Sequence, residues 1–149
     1  MQRTNNLSRG ARSRRGQTLV EFALILPIFI LVLVGIFDMG RAVYAYNTIS
    51  NASRQAVRVG IVDQNVAVLQ AEAVKASVAL GAAPADVDVS FLSSDLLTPC
   101  AVPAKIGCVV VITVHYQYTA ATPIIGNLVG TIDMASTTRE PIERSYVSP

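Results

Sequence analysis

Residues 17–37 read QTLVEFALILPIFILVLVGIF, and this stretch organises the rest of the chain. It holds one charge, Glu21, and the 16 residues from Phe22 to Phe37 hold none. A helix that crosses a bilayer needs about 20 mainly apolar residues, so the segment predicts a transmembrane helix. Five arginines precede it, Arg3, Arg9, Arg12, Arg14 and Arg15, with no acid among residues 1–16. Basic flanks stay on the cytoplasmic side. Arg12, Arg14 and Arg15 therefore orient the N-terminus inward and place the remainder of the chain outside. A secretory signal has the same order, but its apolar core is about 7–15 residues long and ends at an A-x-A-like site. Here the run is longer and continues into Asp38-Met39-Gly40-Arg41-Ala42.

Composition narrows the choice. The chain has 149 residues, 52% of them hydrophobic, and a net charge of +2. That length allows one modest domain and excludes a large multidomain enzyme. Only 15% of residues are charged, against about 25% in an average soluble domain. The first 16 residues carry +5 and the other 133 carry −3. A nucleic-acid-binding body would be basic; this body is mildly acidic. The apolar fraction also argues against disorder.

Glu21 is out of place near the start of a spanning helix, where a carboxylate costs a few kcal/mol if it sits deep. The segment has no cationic side chain, so its counter-charge comes from elsewhere. A cut after Gly16 would supply one. Gln17 would become the first residue, its new α-amine would stand one helical turn from Glu21, and the leader arginines would be lost.

Arg14-Arg15-Gly16-Gln17-Thr18-Leu19-Val20-Glu21-Phe22 resembles a class III prepilin-peptidase site: basic residues, a glycine, then an acid at mature position five. Residues 14–60 as a whole are similar to the TadE-like family, minor pilins or pseudopilins of tight-adherence (Tad/Flp) pilus systems. The resemblance is carried by Val20-Glu21-Phe22-Ala23, by Leu26-Pro27 within the span, and by Asn51-Ala52-Ser53-Arg54-Gln55-Ala56-Val57-Arg58. Ser53 occupies a position where the family favours Ala, and Gln55 one where Glu is common. Thr137-Thr138-Arg139-Glu140 resembles the family's closing strand, often Met-Arg-x-Glu, with Thr138 in place of Met and the acid directly after Arg139. The resemblance implies a pilus subunit cut between Gly16 and Gln17, with Glu21 pairing in assembly. It implies a prepilin peptidase, other pilin subunits and the pilus assembly machinery as partners. It places the precursor in the cytoplasmic membrane and the mature form in a pilus. The competing reading is a permanently anchored single-span binding protein that is never cleaved.

Beyond the span the helical period persists. Ala42, Ala45, Ile49, Ala52, Ala56 and Val59 step by three and four, an apolar stripe, and Gly60 is a stop. A helix over residues 17–60 spans roughly 66 Å, and Pro27 is expected to bend or locally break it. A second helix is predicted over residues 65–80, with Val66, Leu69, Ala73, Ala76 and Leu80 inward and Glu72 paired to Lys75. The period then changes to two. Val87, Val89 and Phe91 form one strand. Val110, Ile112, Val114, Tyr116 and Tyr118 form the inner face of a second, and residues 131–140 a third with Ile132 and Met134 inward. Residues 122–130 read as an apolar loop with a short helical turn, and the tail from Ser145 as frayed. The expected fold is α+β: a long transmembrane pilin helix, an amphipathic helix and a small three- to four-stranded antiparallel sheet. Its parts are a leader (1–16), a transmembrane part (17–40) and an extracytoplasmic domain (41–149).

Cys100 and Cys108 are the only cysteines. An even count outside the cytoplasm favours a disulfide, which in a loop this short contributes about 2–3 kcal/mol. Free thiols or a metal pair are the alternatives, though no C-x-x-C motif is present. His115 lies on a polar strand face and has no Ser or Asp arranged with it for catalysis. Asp86, Asp88, Asp95 and Asp133 have oxygens to offer calcium, without the spacing of a known calcium loop. No catalytic constellation, phosphate loop, cofactor motif or metal set emerges. The expectation is a structural protein with no cofactor and no small-molecule or nucleic-acid ligand.

Overall fold

The computed structural model describes residues 9–148. Arg3 lies outside them. The chain divides into two units, residues 1–39 and 40–149.

From Arg9 onward the first unit is helical. Helix α1 (Arg9–Gly60) begins in it and runs on through Pro27, so of the bend or local break expected there the helix shows no break. Pro27 lacks the N–H that would bond the carbonyl one turn back, but the flanking turns keep their ladder. The side chains from Leu19 to Met39 are mostly exposed, with Leu19 69%, Phe22 61%, Ile28 67% and Phe37 67% accessible. The most apolar 18-residue stretch has none of its surface buried, and by length and composition α1 can cross a membrane. In lipid such a helix satisfies its own backbone groups and needs no polar cover.

The second unit holds the core. Within it, α1 buries Ala45, Ile49, Ala52 and Ala56, four members of the expected stripe. Ser53 and Val57 are also buried. They add a second column four residues apart, giving the wide face a helix needs when it packs on a sheet. The helix ends at Gly60. A Cβ there would lie 2.9 Å from Val110 Cγ2 and 3.4 Å from Leu69 Cδ1, so the glycine serves close packing.

Helix α2 (Val66–Ala76) is capped by Asn65, whose side chain accepts from the Ala67 N–H. It buries Leu69 and Ala73 and carries the Glu72–Lys75 pair at 3.5 Å. The helix stops short of Leu80, because the Ser77 hydroxyl turns back to the Ala73 carbonyl at 2.7 Å and competes with the next turn. A 3₁₀ turn, Val78–Leu80, follows and closes on Gly81 at φ +70°.

Strands β1 (Val87–Ser93), β2 (Cys108–Thr119) and β3 (Thr131–Pro141) form one antiparallel sheet in the order β1-β2-β3. Helix α3 (Pro123–Val129) joins β2 to β3, and the short helical turn expected here extends over most of the connection. Val87, Phe91, Val110, Ile112 and Val114 face the core and join the buried residues of α1 and α2 in one cluster. Cys100 and Cys108 are bonded to each other, and the loop they close contributes the buried Ala104. On β3 the inward row differs from expectation. Met134 is half-buried, but Ile132 is 39% exposed, because it lies near the end of the sheet's outer strand. Ser136 and Thr138 take the inner positions instead. The Ser53 hydroxyl sits 2.8 Å from Thr138 Oγ1 and 3.4 Å from Ser136 Oγ, and donates to the Ser50 carbonyl.

The tail is not frayed. Gln64, fully buried, donates its side-chain amide to the Arg144 carbonyl at 2.7 Å and accepts from the Tyr146 N–H at 2.7 Å. Its backbone N–H bonds the Tyr146 carbonyl at 2.7 Å. Asn65 donates to the Ser148 carbonyl, and Asp63 accepts from the Ser148 N–H. A buried amide must find partners, and the tail supplies them. Slight burial pushes the Asp63 carboxyl upward, but the bonds it accepts from Ser148 and from the Asn65 N–H outweigh this and hold it below its ordinary value of 3.8. A lowered carboxyl stabilises the fold above its unfolded value and loses that effect as pH falls through the folded one. Relative to an unstructured amide, exchange at Ser148 should therefore accelerate below pH 3.8, while exchange in β2 stays slow. Equal acceleration in both would refute a local latch.

Candidate functional site

The candidate site lies in the first unit, on α1. Gly16 and Gln17 are adjacent on one turn of the helix, Glu21 stands one turn further on, and all three are exposed. The Gln17 side-chain amide donates to Glu21 Oε1 at 3.3 Å. That partner was readable in advance, since residues four apart on a helix are neighbours, but attention to charge alone passes over a neutral amide. Thr18 to Ile30 around the carboxylate present an almost continuous apolar surface. The arrangement has one polar spot on an otherwise apolar rod. The Gly16–Gln17 bond lies inside the helix, and Pro27 lies in the same helix beyond Glu21. Arg12, Arg14 and Arg15 lie on the first turns of α1, in the stretch whose side chains fall outside the described residues.

The other residues singled out by sequence belong to the second unit. Cys100 and Cys108 staple the β1–β2 connection. His115 is paired with Asp88, Nε2 to Oδ2 3.0 Å, on the exposed face of the sheet. Asp95 accepts from the Leu97 and Thr98 N–H groups, which hold its carboxyl below the usual range. Asp86 accepts from the Ala83 N–H at 2.8 Å. Asp86 and Asp133 both line an open cleft of about 360 Å³ with His115 and Gln117. Among the described residues no three His, Cys, Asp or Glu side chains are grouped to hold a metal.

Among the described residues one helix, α1, is long and apolar enough to cross a membrane, and an α+β body follows it in the chain. Residues 16–58, less than a third of the chain, are similar to the family model described as TadE-like protein. No curated protein and no solved structure is significantly similar to the chain.

Proposed function

We propose that this protein is a minor pilin or pseudopilin of a Tad/Flp-type pilus or secretion system. The observation that carries the reading is the exposed apolar face of α1 with Glu21 one turn inside Gln17. A permanent anchor gains nothing from an acid at that depth, whereas a subunit that packs against copies or relatives of itself does. In the precursor, Arg12, Arg14 and Arg15 hold the N-terminus in the cytoplasm. A prepilin peptidase cuts between Gly16 and Gln17. The bond lies within helix, so the turn must open first, and glycine lowers the helical preference there by about 1 kcal/mol relative to Ala. Cleavage frees an α-amine on Gln17. In the assembled state this amine faces Glu21 of a neighbouring subunit, which cancels both charges in an apolar surround and sets the axial stagger. Pro27 gives α1 a bending point for its transfer from bilayer to filament.

The test is the N-terminal residue of the protein isolated from its native membrane or filament. The expected start is Gln17. An intact Met1 rejects the proposal in favour of a permanent anchor.

A further inference from the structure

Strand β3 is an outer strand of the sheet, with β2 on one side and no strand on the other. It has 11 residues, paired to β2 without a bulge from Thr131 to Pro141. Most strands are about half that length, and long open edges are normally blunted by proline, bulges or covering elements. Along β3 every second residue directs its N–H and C=O away from β2, and the first proline is Pro141, at its end.

The side chains say what kind of strand fits this edge. Thr131, Asp133, Ala135, Thr137 and Arg139 form the outer row, and all are exposed. Across β2, Asp133 faces Gln117 and Arg139 faces Val111. Neither charge therefore has a counter-charge directly opposite it on β2, and among the described residues neither is in an ion pair. The two lie three residues to either side of Ser136. Two β3 strands laid antiparallel about Ser136 place Asp133 of each copy directly opposite Arg139 of the other. A slip of two residues in either direction faces each of these charges with Thr, Ala or Pro, and parallel in-register pairing sets like charges side by side. On the inner row, Met134 meets Thr138, and the exposed Ile132 meets the aliphatic stem of Glu140.

We propose that the β3 edge is a self-association surface, on which a second copy of this chain adds antiparallel about Ser136. The two three-stranded sheets then become one, in the order β1-β2-β3-β3-β2-β1. The inference rests on β3 alone and is independent of cleavage after Gly16.

The test uses full-length chains in their membrane. Asp133→Cys and Arg139→Cys variants, differently tagged, are expressed together and mildly oxidised. The native cysteines are already bonded to each other. A cross-linked dimer is expected only from the mixture, because positions 133 of two copies lie six residues, roughly 20 Å, apart in this register. In detergent, Asp133→Arg or Arg139→Asp alone should lower co-purification of two tagged copies roughly tenfold, since each turns two attractive cross-strand pairs into repulsive ones. The double reversal should restore it. The proposal is overturned if no mixed cross-link forms, if either variant alone links as well as the mixture, or if single reversals leave co-purification unchanged. A cross-link to a different protein in place of the second copy also overturns it. Both positions are exposed, so folding is not at stake.

Discussion

Gly60→Val should abolish the folded state of the second unit. The added Cβ would stand 2.9 Å from Val110 Cγ2, closer than real side chains approach. Val110 and Leu69 are themselves fully buried and have nowhere to retreat. Overpacking a core by a methylene or two costs about 1–3 kcal/mol, and valine adds its branched methyls to that. A small domain has only about 5–15 kcal/mol of stability in total. Gly60→Ala should fold with a urea midpoint reduced by an amount equivalent to about 1–3 kcal/mol. Gly40→Ala is the control, because a Cβ there meets nothing within 4 Å. If Gly60→Val unfolds at the parent midpoint, the helix does not approach β2 as closely as described.

Glu21→Ala should leave membrane insertion intact or improved and lower filament assembly by more than a hundredfold. Removing a carboxylate from an apolar span reduces the insertion penalty by a few kcal/mol. On the proposed pairing the same change leaves the neighbouring amine uncompensated in an apolar surround, at about 3–5 kcal/mol. Membrane fractionation reads the first effect and the yield of sheared filaments the second. Assembly equal to the parent would show that Glu21 does not pair between subunits. Glu21→Gln, which keeps a partner for the Gln17 amide but removes the charge, separates charge from hydrogen bonding.

Periodicity made most of the architecture legible. The small-residue stripe of α1, Leu69 and Ala73 on α2, and the alternation in β1 and β2 all follow from local spacing, and all bury the expected faces. What stayed hidden depends on contacts between distant residues. Gln64 looks like a surface residue in a turn, and only the tail 80 residues later explains its burial. Ile132 fits an inward strand position, but position along the sheet, which the alternation does not encode, leaves it exposed. Gly60 reads as a helix stop and proves to be a contact point. At the candidate site, the composition of Gly16, Gln17 and Glu21 was visible from sequence, as was their spacing. The Gln17–Glu21 hydrogen bond leaves no trace in charge patterning, because the amide is neutral.

The hydroxyl contact between α1 and β3 joins two segments 85 residues apart in the chain. Ser53 lies 2.8 Å from Thr138 Oγ1 and 3.4 Å from Ser136 Oγ, and donates to the Ser50 carbonyl. No single partner is indispensable: without Thr138 the Ser53 hydroxyl keeps the Ser50 carbonyl, and Thr138 is only half-buried. The cluster therefore adds little to stability. What it supplies is direction, since a hydroxyl accepts partners only within a narrow range of distance and angle, whereas methyl groups pack at many offsets. It fixes where β3 lies along the helix.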